Sequence, residues 1–426
     1  MYINVRDAAF ITLDRIERGN KYSNIELDSV IKKYELSGVD KAFFTKLIYG
    51  CIERKITIDY IIGIFSSKPV NEIDREILNI LRLGVYQIMF LDRVPDNAAC
   101  NESVELCKIH RYKAGGFVNA VLREVCRKKE TITYPIDSME YLSVKYSYQK
   151  WLCELWNKMY GYERTESLFR AMNEPAAISL RVNTLKISRD ELLRRLFDRE
   201  IKAAVSELSE FGINLLQNYA VSDLPEIEEG LCFIQDTASQ ICVLFAGVKP
   251  GETVIDMCAA PGGKSFSAAI EMRNQGELYS FDLHKNKISL IEKGINRFEI
   301  DIITASEKDG TVYDENLSEI ADCVMCDVPC SGLGVIAKKP DIRYKVYEEI
   351  QRLPEVQYAI LINAAKYVKS GGRLIYSTCT LNTAENESVV KRFITENKGY
   401  TLIDDKTLFP DTDNTDGFYM AKLYKL

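Results

Sequence analysis

The stretch that most constrains how this chain can fold is residues 253–269, TVIDMCAAPGGKSFSAA. Its first residues are apolar or β-branched and end in the acid Asp256, which is typical of a short buried strand. A turn of small residues with two glycines follows, and a helical pattern begins at Lys264. Strand, glycine-rich turn and helix in this order predict an open α/β sheet whose turn brings backbone N–H groups close to a nucleotide-like ligand.

A second acid ends the next predicted strand. The apolar run 278–281 is followed by Asp282, nineteen residues beyond Gly263. A carboxylate at that strand tip can accept hydrogen bonds from both hydroxyls of an adenosine ribose. The two segments together predict a pocket for a cofactor that contains adenosine.

Strands and helices alternate regularly from about residue 237, as in a doubly wound sheet. Further strands are predicted at 302–304, 322–327, 373–377, 400–403 and 418–424. The last two form a hairpin, and such an added antiparallel strand is typical of the S-adenosylmethionine methyltransferase sheet. No G-x-G-x-x-G motif follows the first strand, which disfavours a dinucleotide-dependent oxidoreductase. We therefore predict a Rossmann-like α/β methyltransferase domain with a seven-stranded sheet over 237–426.

The chain before this domain divides into two parts. Residues 1–132 carry apolar residues at spacings of three and four, which predicts an all-α domain. Residues 140–236 begin with two predicted helices before residue 175. A strand, a helix and two weaker strands follow, predicted at 178–182, 189–199, 213–216 and 231–235. These elements predict a small α+β subdomain.

Composition excludes several classes of protein. The chain has 426 residues, of which 46% are hydrophobic and 27% charged, which is ordinary for a globular protein of two or three domains. No apolar run approaches the roughly 18 residues of a membrane helix, and the first residues lack the apolar core of a signal peptide. We therefore predict a cytoplasmic protein that does not enter the membrane and whose 12 cysteines are reduced. A monomer is the default expectation.

Charged residues give a weaker signal. The net charge of −7 argues against an indiscriminate binder of polyanions. The first third of the chain is nearly neutral, and a cluster of basic residues there could form a local basic face or simply mark helix C-termini. The cluster comprises Arg111, Lys113, Arg123, Arg127, Lys128 and Lys129. In the small subdomain, Arg181 and Asn183 could bind a phosphate backbone, although a plain edge-strand charge is the simpler interpretation of Arg181.

Two cysteines lie in loops directly after predicted strands. Cys330 follows Asp327 and two further residues, and Cys379 follows the strand at 373–377. Because ligands bind at the carboxyl ends of such strands, both thiols could meet at one substrate. The other ten are interpreted as inert thiols. Among these, the C-x-x-C of Cys323 and Cys326 lies on a strand where alternate faces separate the side chains, so we predict no metal site.

A thiol beside a methyl-donor pocket indicates a particular reaction. Carbon 5 of a pyrimidine has no lone pair and must be made electron-rich before it can accept a methyl group. A thiolate that adds to carbon 6 achieves this, and a base later removes the proton on carbon 5. Asp327 could hydrogen-bond the cytosine amino group and ring nitrogen during the addition. Only two histidines occur, His110 and His284, so a histidine-activated nucleophile is disfavoured.

Several blocks resemble those of one enzyme family. Three signature blocks of the RNA cytosine-5 methyltransferases have close counterparts here, and two further segments resemble the same family: 256–264, 327–332 and 377–387, then 233–240 and 416–423. Residues 1–130 resemble the RNA-binding NusB antitermination fold, with matching motifs such as 44–50 and 117–123. Together these segments make the whole chain similar to the RsmB (Sun/Fmu) branch of the family.

The resemblance implies the reaction, the cofactor and the site. It implies S-adenosylmethionine as cofactor and 5-methylcytosine formation in 16S ribosomal RNA, either free or in an assembling small subunit. A transfer RNA substrate and a non-catalytic RNA-binding assembly factor remain the alternatives. Cys379 corresponds to the family's nucleophile and Cys330 to the cysteine implicated in product release, but both thiols are present, so the residues alone leave this division open. The implied cofactor contacts are Cys258, Ala259, Ala260, Pro261, Gly262, Gly263, Lys264, Asp282 and Asp327.

The chain departs from the family pattern in two places that affect site residues. After the third strand the nearest match to the adenine-side acid is Asp309, with Glu307 as a rival. After the Cys330 loop, two lysines precede Pro340, where the family has a histidine, which leaves Arg343 as a predicted phosphate contact.

Overall fold

The computed structural model describes residues 3–19, 23–217, 219 and 224–426. These residues form two compact units. The first comprises Met1–Asn173 and Lys339–Lys345, and the second comprises Glu174–Lys338 and Val346–Leu426. The helices after residue 140 therefore pack with the first unit, and the predicted domain limits at 132, 140 and 236 stay predictions.

The first unit is helical throughout its described part, as the apolar spacing predicts. Its helices are α1 (Val5–Gly19), α2 (Ser23–Tyr34), α3 (Gly38–Glu53), α4 (Lys55–Phe65), α5 (Arg75–Phe90), α6 (Asp96–Arg111), α7 (Gly115–Lys128), α8 (Ser138–Tyr146), α9 (Lys150–Tyr160) and α10 (Tyr162–Ala171). Three helices rather than the predicted two lie between residues 138 and 171. The two predicted helices, one carrying Trp151 and Trp156 and the other Leu168 and Phe169, are α9 and α10. The additional helix is α8, which ends at Ser147 with a φ of +63°.

One apolar core holds α1–α7 together. Phe44, Leu47, Ile80 and Leu81 are fully buried in it. Close helix packing depends on Gly50, because a Cβ there would lie 1.9 Å from the Tyr86 ring. Burial of many such side chains at about 25 cal/mol per Å² is the main stabilising contribution in a bundle of this kind.

The basic residues of the first unit are largely neutralised. Lys128 Nζ lies 3.2 Å from Glu124, Lys129 Nζ lies 2.9 Å from Asp96, and Arg111 pairs with Asp74 and Glu76 at the start of α5. Both α6 and α7 carry basic residues in their last turns, as the interpretation as helix C-termini predicts. Arg127 and Lys128 stay more than half exposed, so a local basic face stays a prediction.

The second unit contains two sheets. Its strands are β1 (Ile178–Val182), β2 (Ala203–Val205), β3 (Gly212–Leu215), β4 (Cys232–Ile234), β5 (Thr253–Asp256), β6 (Glu277–Asp282), β7 (Ile303–Glu307), β8 (Ala321–Asp327), β9 (Val368–Thr378), β10 (Tyr400–Leu408) and β11 (Phe418–Lys425). Its helices are α11 (Arg189–Asp198), α12 (Pro225–Glu228), α13 (Thr237–Ala246), α14 (Gly263–Glu271), α15 (Lys285–Phe298), α16 (Tyr347–Ile350), α17 (Leu353–Ala365), α18 (Glu387–Glu396) and α19 (Pro410–Asp413).

The larger sheet has seven strands in the order β10-β11-β9-β8-β5-β6-β7. Strands β9, β8, β5, β6 and β7 are parallel, and β11 joins antiparallel to both β9 and β10. Helices α13–α15 cover one face and α17–α18 the other. Cys323 lies in the first of these cores and Cys326 in the second, so the C-x-x-C side chains do face opposite sides. The predicted Rossmann-like methyltransferase fold is confirmed.

The smaller sheet is antiparallel, in the order β2-β3-β1-β4. Helices α11 and α12 pack on it around Leu180, Leu192 and Ile213. The sequence pattern had missed β2, which is only three residues long and too short for alternation to show. In the described part of the chain, no helix combines the length and apolar character needed to cross a membrane.

Candidate active site

The site lies at the carboxyl ends of β5, β6, β8 and β9. Parallel strands present these ends at one edge, where loops are free to bind ligands. After β5 the chain turns sharply and begins α14 at Gly263. At Gly262, φ is +108° and a Cβ would lie 2.4 Å from the Phe266 ring. Only glycine meets both conditions, which explains why the turn carries it.

Asp282 is tied to this turn. It is 7% exposed, and its carboxylate accepts hydrogen bonds from the backbone N–H groups of Ala260, at 3.3 Å, and His284, at 3.1 Å. The adjacent Ala259 N–H donates to the carbonyl of Phe281 at 2.7 Å. The ends of β5 and β6 therefore form one rigid rim, with a carboxylate on it.

A cavity of about 200 Å³ opens against the turn. Its lining comprises Ile234, Gln235, Asp236, Ser239, Asp256, Cys258, Ala259, Ala260, Pro261, Gly263, Lys264 and Asp327. Seven of the predicted cofactor residues line it, from Cys258 to Asp327. Gly262 shapes the turn beside it. Sequence reasoning missed Gln235, Asp236, Ser239 and Asp256 as site residues, although the first three lie in a block recognised at 233–240.

Two buried polar atoms in this lining lack a partner. They are Oδ1 of Asp256 and Nε2 of Gln235. Such atoms are rare in folded proteins because each costs about 1–3 kcal/mol. One is an acceptor and the other a donor, so a ligand that offers both a hydrogen-bond donor and an acceptor fits the cavity.

The two rival acids after β7 are both exposed. Glu307 is the last residue of β7 and pairs in register with Asp282 on β6. Asp309 accepts hydrogen bonds from the N–H of Thr311 at 2.8 Å and from its hydroxyl at 2.7 Å. These bonds lower the pKa of Asp309. Neither acid lines the described cavity, so Asp309 as the adenine-side acid stays a prediction.

Asp256 gives a test of the cavity's electrostatics. Burial raises the pKa of this carboxyl from 3.8 to about 6, against the opposing effect of the Ser265 hydroxyl, which donates to Oδ2 at 2.7 Å. Since the folded-state pKa is raised, this group favours folding at low pH, and that contribution is lost as the pH rises through about 6.

The Asp256→Asn variant is therefore expected to gain stability relative to the wild type as the pH rises. The free energy of unfolding of the variant minus that of the wild type should be about 1.4 kcal/mol more positive at pH 8 than at pH 5. Denaturant unfolding of both proteins at the two pH values measures this. A difference that does not change with pH would contradict the raised pKa.

A lysine and an aspartate meet beside the cavity. Lys264 Nζ lies 2.7 Å from Asp327 Oδ2 and 3.4 Å from the Ser239 hydroxyl. Ser377 donates to the other oxygen of Asp327 at 3.0 Å. Burial by itself lowers the pKa of Lys264, but the Asp327 carboxylate outweighs it, so the pKa lies above the ordinary value. The ammonium group is therefore charged at any physiological pH.

The two loop thiols converge, as the strand ends predicted. Cys330 Sγ and Cys379 Sγ are 3.1 Å apart, and both residues are half-buried. The hydrogen bond to Cys379 and burial raise the pKa of Cys330 well above its ordinary value, with further contributions from Glu385 and Asp327. These effects favour the protonated form of the Cys330 thiol.

The loops around the thiols are closely packed. Gly334 donates to the Cys379 carbonyl at 3.0 Å and accepts from Gly417 at 2.8 Å. A Cβ on Gly334 would lie 1.8 Å from the Gly417 carbonyl oxygen. Lys338, which follows, bonds to both Asp236 and Asp416. The Cys330 loop is therefore fixed to β11 and to the start of α13.

The three predicted RNA contacts are not surface residues. Arg181, Asn183 and Arg343 are 1%, 0% and 1% exposed. Arg181 pairs with Glu271 and stacks 4.1 Å from the Phe211 ring centre, and Asn183 donates to the carbonyls of Gly230 and Phe298. Within the first unit, Arg343 donates to the Tyr146 carbonyl at 3.1 Å. Direct phosphate contact by these side chains is therefore wrong for this structure, because each side chain is buried against other parts of the protein.

No metal-binding group of three or more His, Cys, Asp or Glu side chains occurs among the residues that the structure describes.

Three family profiles match parts of this chain. A family profile described as 16S rRNA methyltransferase RsmB/F matches residues 243–424, a NusB family profile matches 3–127, and a ferredoxin-like domain of RsmF/B-like methyltransferases matches 148–222.

Individual relatives cover nearly the whole chain. The chain is 38% identical over 401 residues to the probable ribosomal RNA small subunit methyltransferase B of Bacillus subtilis, a match that spans 93% of this chain and 89% of that protein. It is 33% identical over 444 residues to the protein of the same description from Synechocystis sp., a match that spans 99% of this chain and 100% of that protein. The crystal structure of PH0851 matches with a TM-score of 0.84 and 26% identity over all of both chains. With the turn, the paired thiols and the helical N-terminal unit in place, this chain belongs to the RsmB family of ribosomal RNA small subunit methyltransferases.

Proposed function

We propose that this protein transfers the methyl group of S-adenosylmethionine to carbon 5 of a cytosine in 16S ribosomal RNA, with Cys379 as the covalent nucleophile. The observation that carries the proposal is the 3.1 Å approach of two thiols at the ends of adjacent parallel strands, next to Lys264 and Asp327. A methyltransferase that acts on a nitrogen or oxygen has no use for such thiols, since those acceptors already carry a lone pair.

The cofactor pocket supports this assignment. S-adenosylmethionine supplies an electrophilic methyl group when it is bound. The turn and the N-terminus of α14 suit its carboxylate, and the unpaired oxygen of Asp256 suits a cationic group. Asp282 lies where a ribose would need an acceptor for its hydroxyls. Asp309 is proposed for the adenine side because it follows β7, the strand next to β6 in the sheet.

The chemical roles follow from where the side chains lie. The Cys379 thiolate adds to carbon 6, which makes carbon 5 nucleophilic. Asp327, held in place by Lys264 and Ser377, hydrogen-bonds the amino group and ring nitrogen of the cytosine. After methyl transfer a base takes the proton on carbon 5, its electron pair restores the double bond between carbons 5 and 6, and Cys379 leaves as a thiolate. Cys330, in contact with Cys379, is proposed to serve this release step.

The substrate is proposed from the relatives and the domain composition. The matching proteins are described as small-subunit ribosomal RNA methyltransferases, and the N-terminal unit belongs to a NusB family profile. A cytoplasmic location follows for an enzyme that modifies ribosomal RNA. The residues of the site recognise a cytosine and carry no feature that favours transfer RNA.

A methyl-transfer assay tests the proposal. Purified protein and S-adenosylmethionine with a labelled methyl group are incubated separately with 16S RNA, with assembling small subunits and with transfer RNA. We expect 5-methylcytosine at one position of 16S RNA, identified by nuclease digestion and mass spectrometry. Label in transfer RNA alone would refute the substrate, label on another atom would refute the reaction, and no label in any RNA would leave only the assembly-factor alternative standing.

A further inference from the structure

One buried carboxylate joins the two cysteine loops. Glu385 lies between β9 and α18 and is 0% exposed. Its Oε2 accepts from the Ser331 N–H at 2.8 Å and from Gln357 Nε2 at 2.9 Å, and its Oε1 accepts from Asn382 Nδ2 at 2.9 Å. An ionised carboxylate is stable in the interior only where donors replace its water. Here three donors do so.

These donors hold the peptide groups on both sides of Cys330. Ser331, whose N–H binds Glu385, directly follows Cys330. Gln357 donates to the Pro329 carbonyl at 3.0 Å with the same nitrogen that binds Glu385. One Glu–Gln pair thus fixes the carbonyl before Cys330 and the N–H after it.

The same carboxylate reaches the loop of the other thiol. Asn382, which donates to Oε1, lies three residues beyond Cys379. The hydroxyls of Ser331 and Thr380 also meet, at 2.7 Å, between the two loops. The distance between the two thiols therefore depends on Glu385 and its donors.

The negative charge of Glu385 acts on Cys330. It contributes, after the hydrogen bond to Cys379 and burial, to the raised pKa of Cys330. The other titratable groups that face Cys330 are Cys379, Asp327 and the Tyr376 hydroxyl on β9. Lys264 bonds Asp327 and interacts favourably with an ionised Cys379. The acidic groups around Cys330 thus disfavour a thiolate there, whereas Lys264 stabilises one on Cys379.

We propose that Glu385 is a positioning residue that holds the Cys330 loop against the Cys379 loop and, through its negative charge, gives the nucleophile role to Cys379. The division of roles rests on the proposed function, whereas the clamp between the loops does not. Glu385 touches neither substrate nor cofactor in this scheme and acts through the two loops.

A thiol-labelling experiment tests the charge effect without RNA. In a Cys379→Ala background, so that one active-site thiol titrates, the rate of Cys330 alkylation by iodoacetamide is followed by peptide mass spectrometry across a pH series. Glu385→Gln keeps the shape and removes the charge, and we expect about tenfold faster alkylation of Cys330 near pH 8. The matched control Glu387→Gln alters an exposed acid two residues away, and the rate should stay within about twofold.

Turnover and adduct formation test the positioning effect. With 16S RNA, Glu385→Gln in the otherwise intact chain is expected to lower turnover by about 10- to 100-fold and to accumulate a protein–RNA adduct on a denaturing gel. Gln357→Leu removes the hydrogen bond to the Pro329 carbonyl while keeping the charge of Glu385. It should also lower turnover, without faster alkylation of Cys330, and it keeps the proposal testable if Glu385→Gln does not fold.

The outcomes separate the two proposals. Unchanged Cys330 alkylation in Glu385→Gln overturns the charge effect, and unchanged turnover in both Glu385→Gln and Gln357→Leu overturns the clamp. A wild-type protein that methylates no RNA, in combination with faster alkylation in Glu385→Gln, refutes the proposed function and supports the effect of Glu385 on Cys330.

Discussion

Replacement of Cys379 by alanine is expected to abolish methyl transfer, with a loss of about 10⁴-fold or more. Without the thiolate, carbon 5 of the cytosine stays electron-poor, and Cys330, which the proposed scheme assigns to release, is not expected to replace it as nucleophile. Single-turnover assays with labelled S-adenosylmethionine measure the loss. Cofactor binding should be retained, because Cys379 does not line the cofactor cavity.

Cys330→Ala should behave differently. We expect Cys379 to form its bond to carbon 6 and the release step to slow, so that a protein–RNA adduct appears on a denaturing gel. Cys126→Ala, a half-buried thiol in the helical unit, serves as the control and should leave turnover within about twofold. Full activity in Cys379→Ala together with its loss in Cys330→Ala would reverse the two assignments.

The second large effect is expected at Lys264. Its ammonium group is 2.7 Å from Asp327 and its side chain is 13% exposed. Lys264→Met keeps the length and removes the charge, which leaves Asp327 without its cation. Loss of one partner of a mostly buried ion pair costs about 3–5 kcal/mol. We expect part of this free energy to appear as a higher activation barrier for methyl transfer. We expect kcat/KM for RNA to fall by about 10²- to 10³-fold.

Lys287→Met is the matched control for this prediction. Lys287 also pairs with a site carboxylate, at 3.6 Å from Asp282, but its side chain is 45% exposed. Exposed pairs contribute little, about 0–1 kcal/mol, so activity should fall by a few-fold at most. Steady-state kinetics and direct measurement of cofactor binding separate the effects on catalysis and affinity. Equal effects in the two variants would show that Lys264 has no special role in holding Asp327.

The sequence predicted the local architecture of the site well. Strands β1 and β5–β11 were predicted close to their observed positions, since each carries its own apolar run. Placement of Cys330 and Cys379 after β8 and β9 was enough to predict that they converge, because parallel neighbours end at the same edge. Glycine at 262 was likewise readable, since the turn needs a residue free to adopt positive φ.

Errors arose where burial decides the role of a polar side chain. Arg181, Asn183 and Arg343 look like surface contacts in the sequence, yet their partners are buried groups distant along the chain. A pattern of neighbouring residues does not show whether a guanidinium faces water or a carbonyl. The nine-residue helix α8 and the three-residue strand β2 were missed because short elements leave little periodic signal.

The sequence by itself determined the fold, the cofactor turn at 253–269 and the presence of two thiols at one sheet edge. Those features depend on local periodicity, on small residues in a turn and on the order of strands. Only the tertiary structure decided which groups surround the two thiols. Glu385 bonds to Ser331 from 54 positions away, and it adds to the effects of the hydrogen bond to Cys379 and of burial, which raise the pKa of Cys330. These effects depend on distance and desolvation in space, and neither is set by the residues next to a cysteine in the chain.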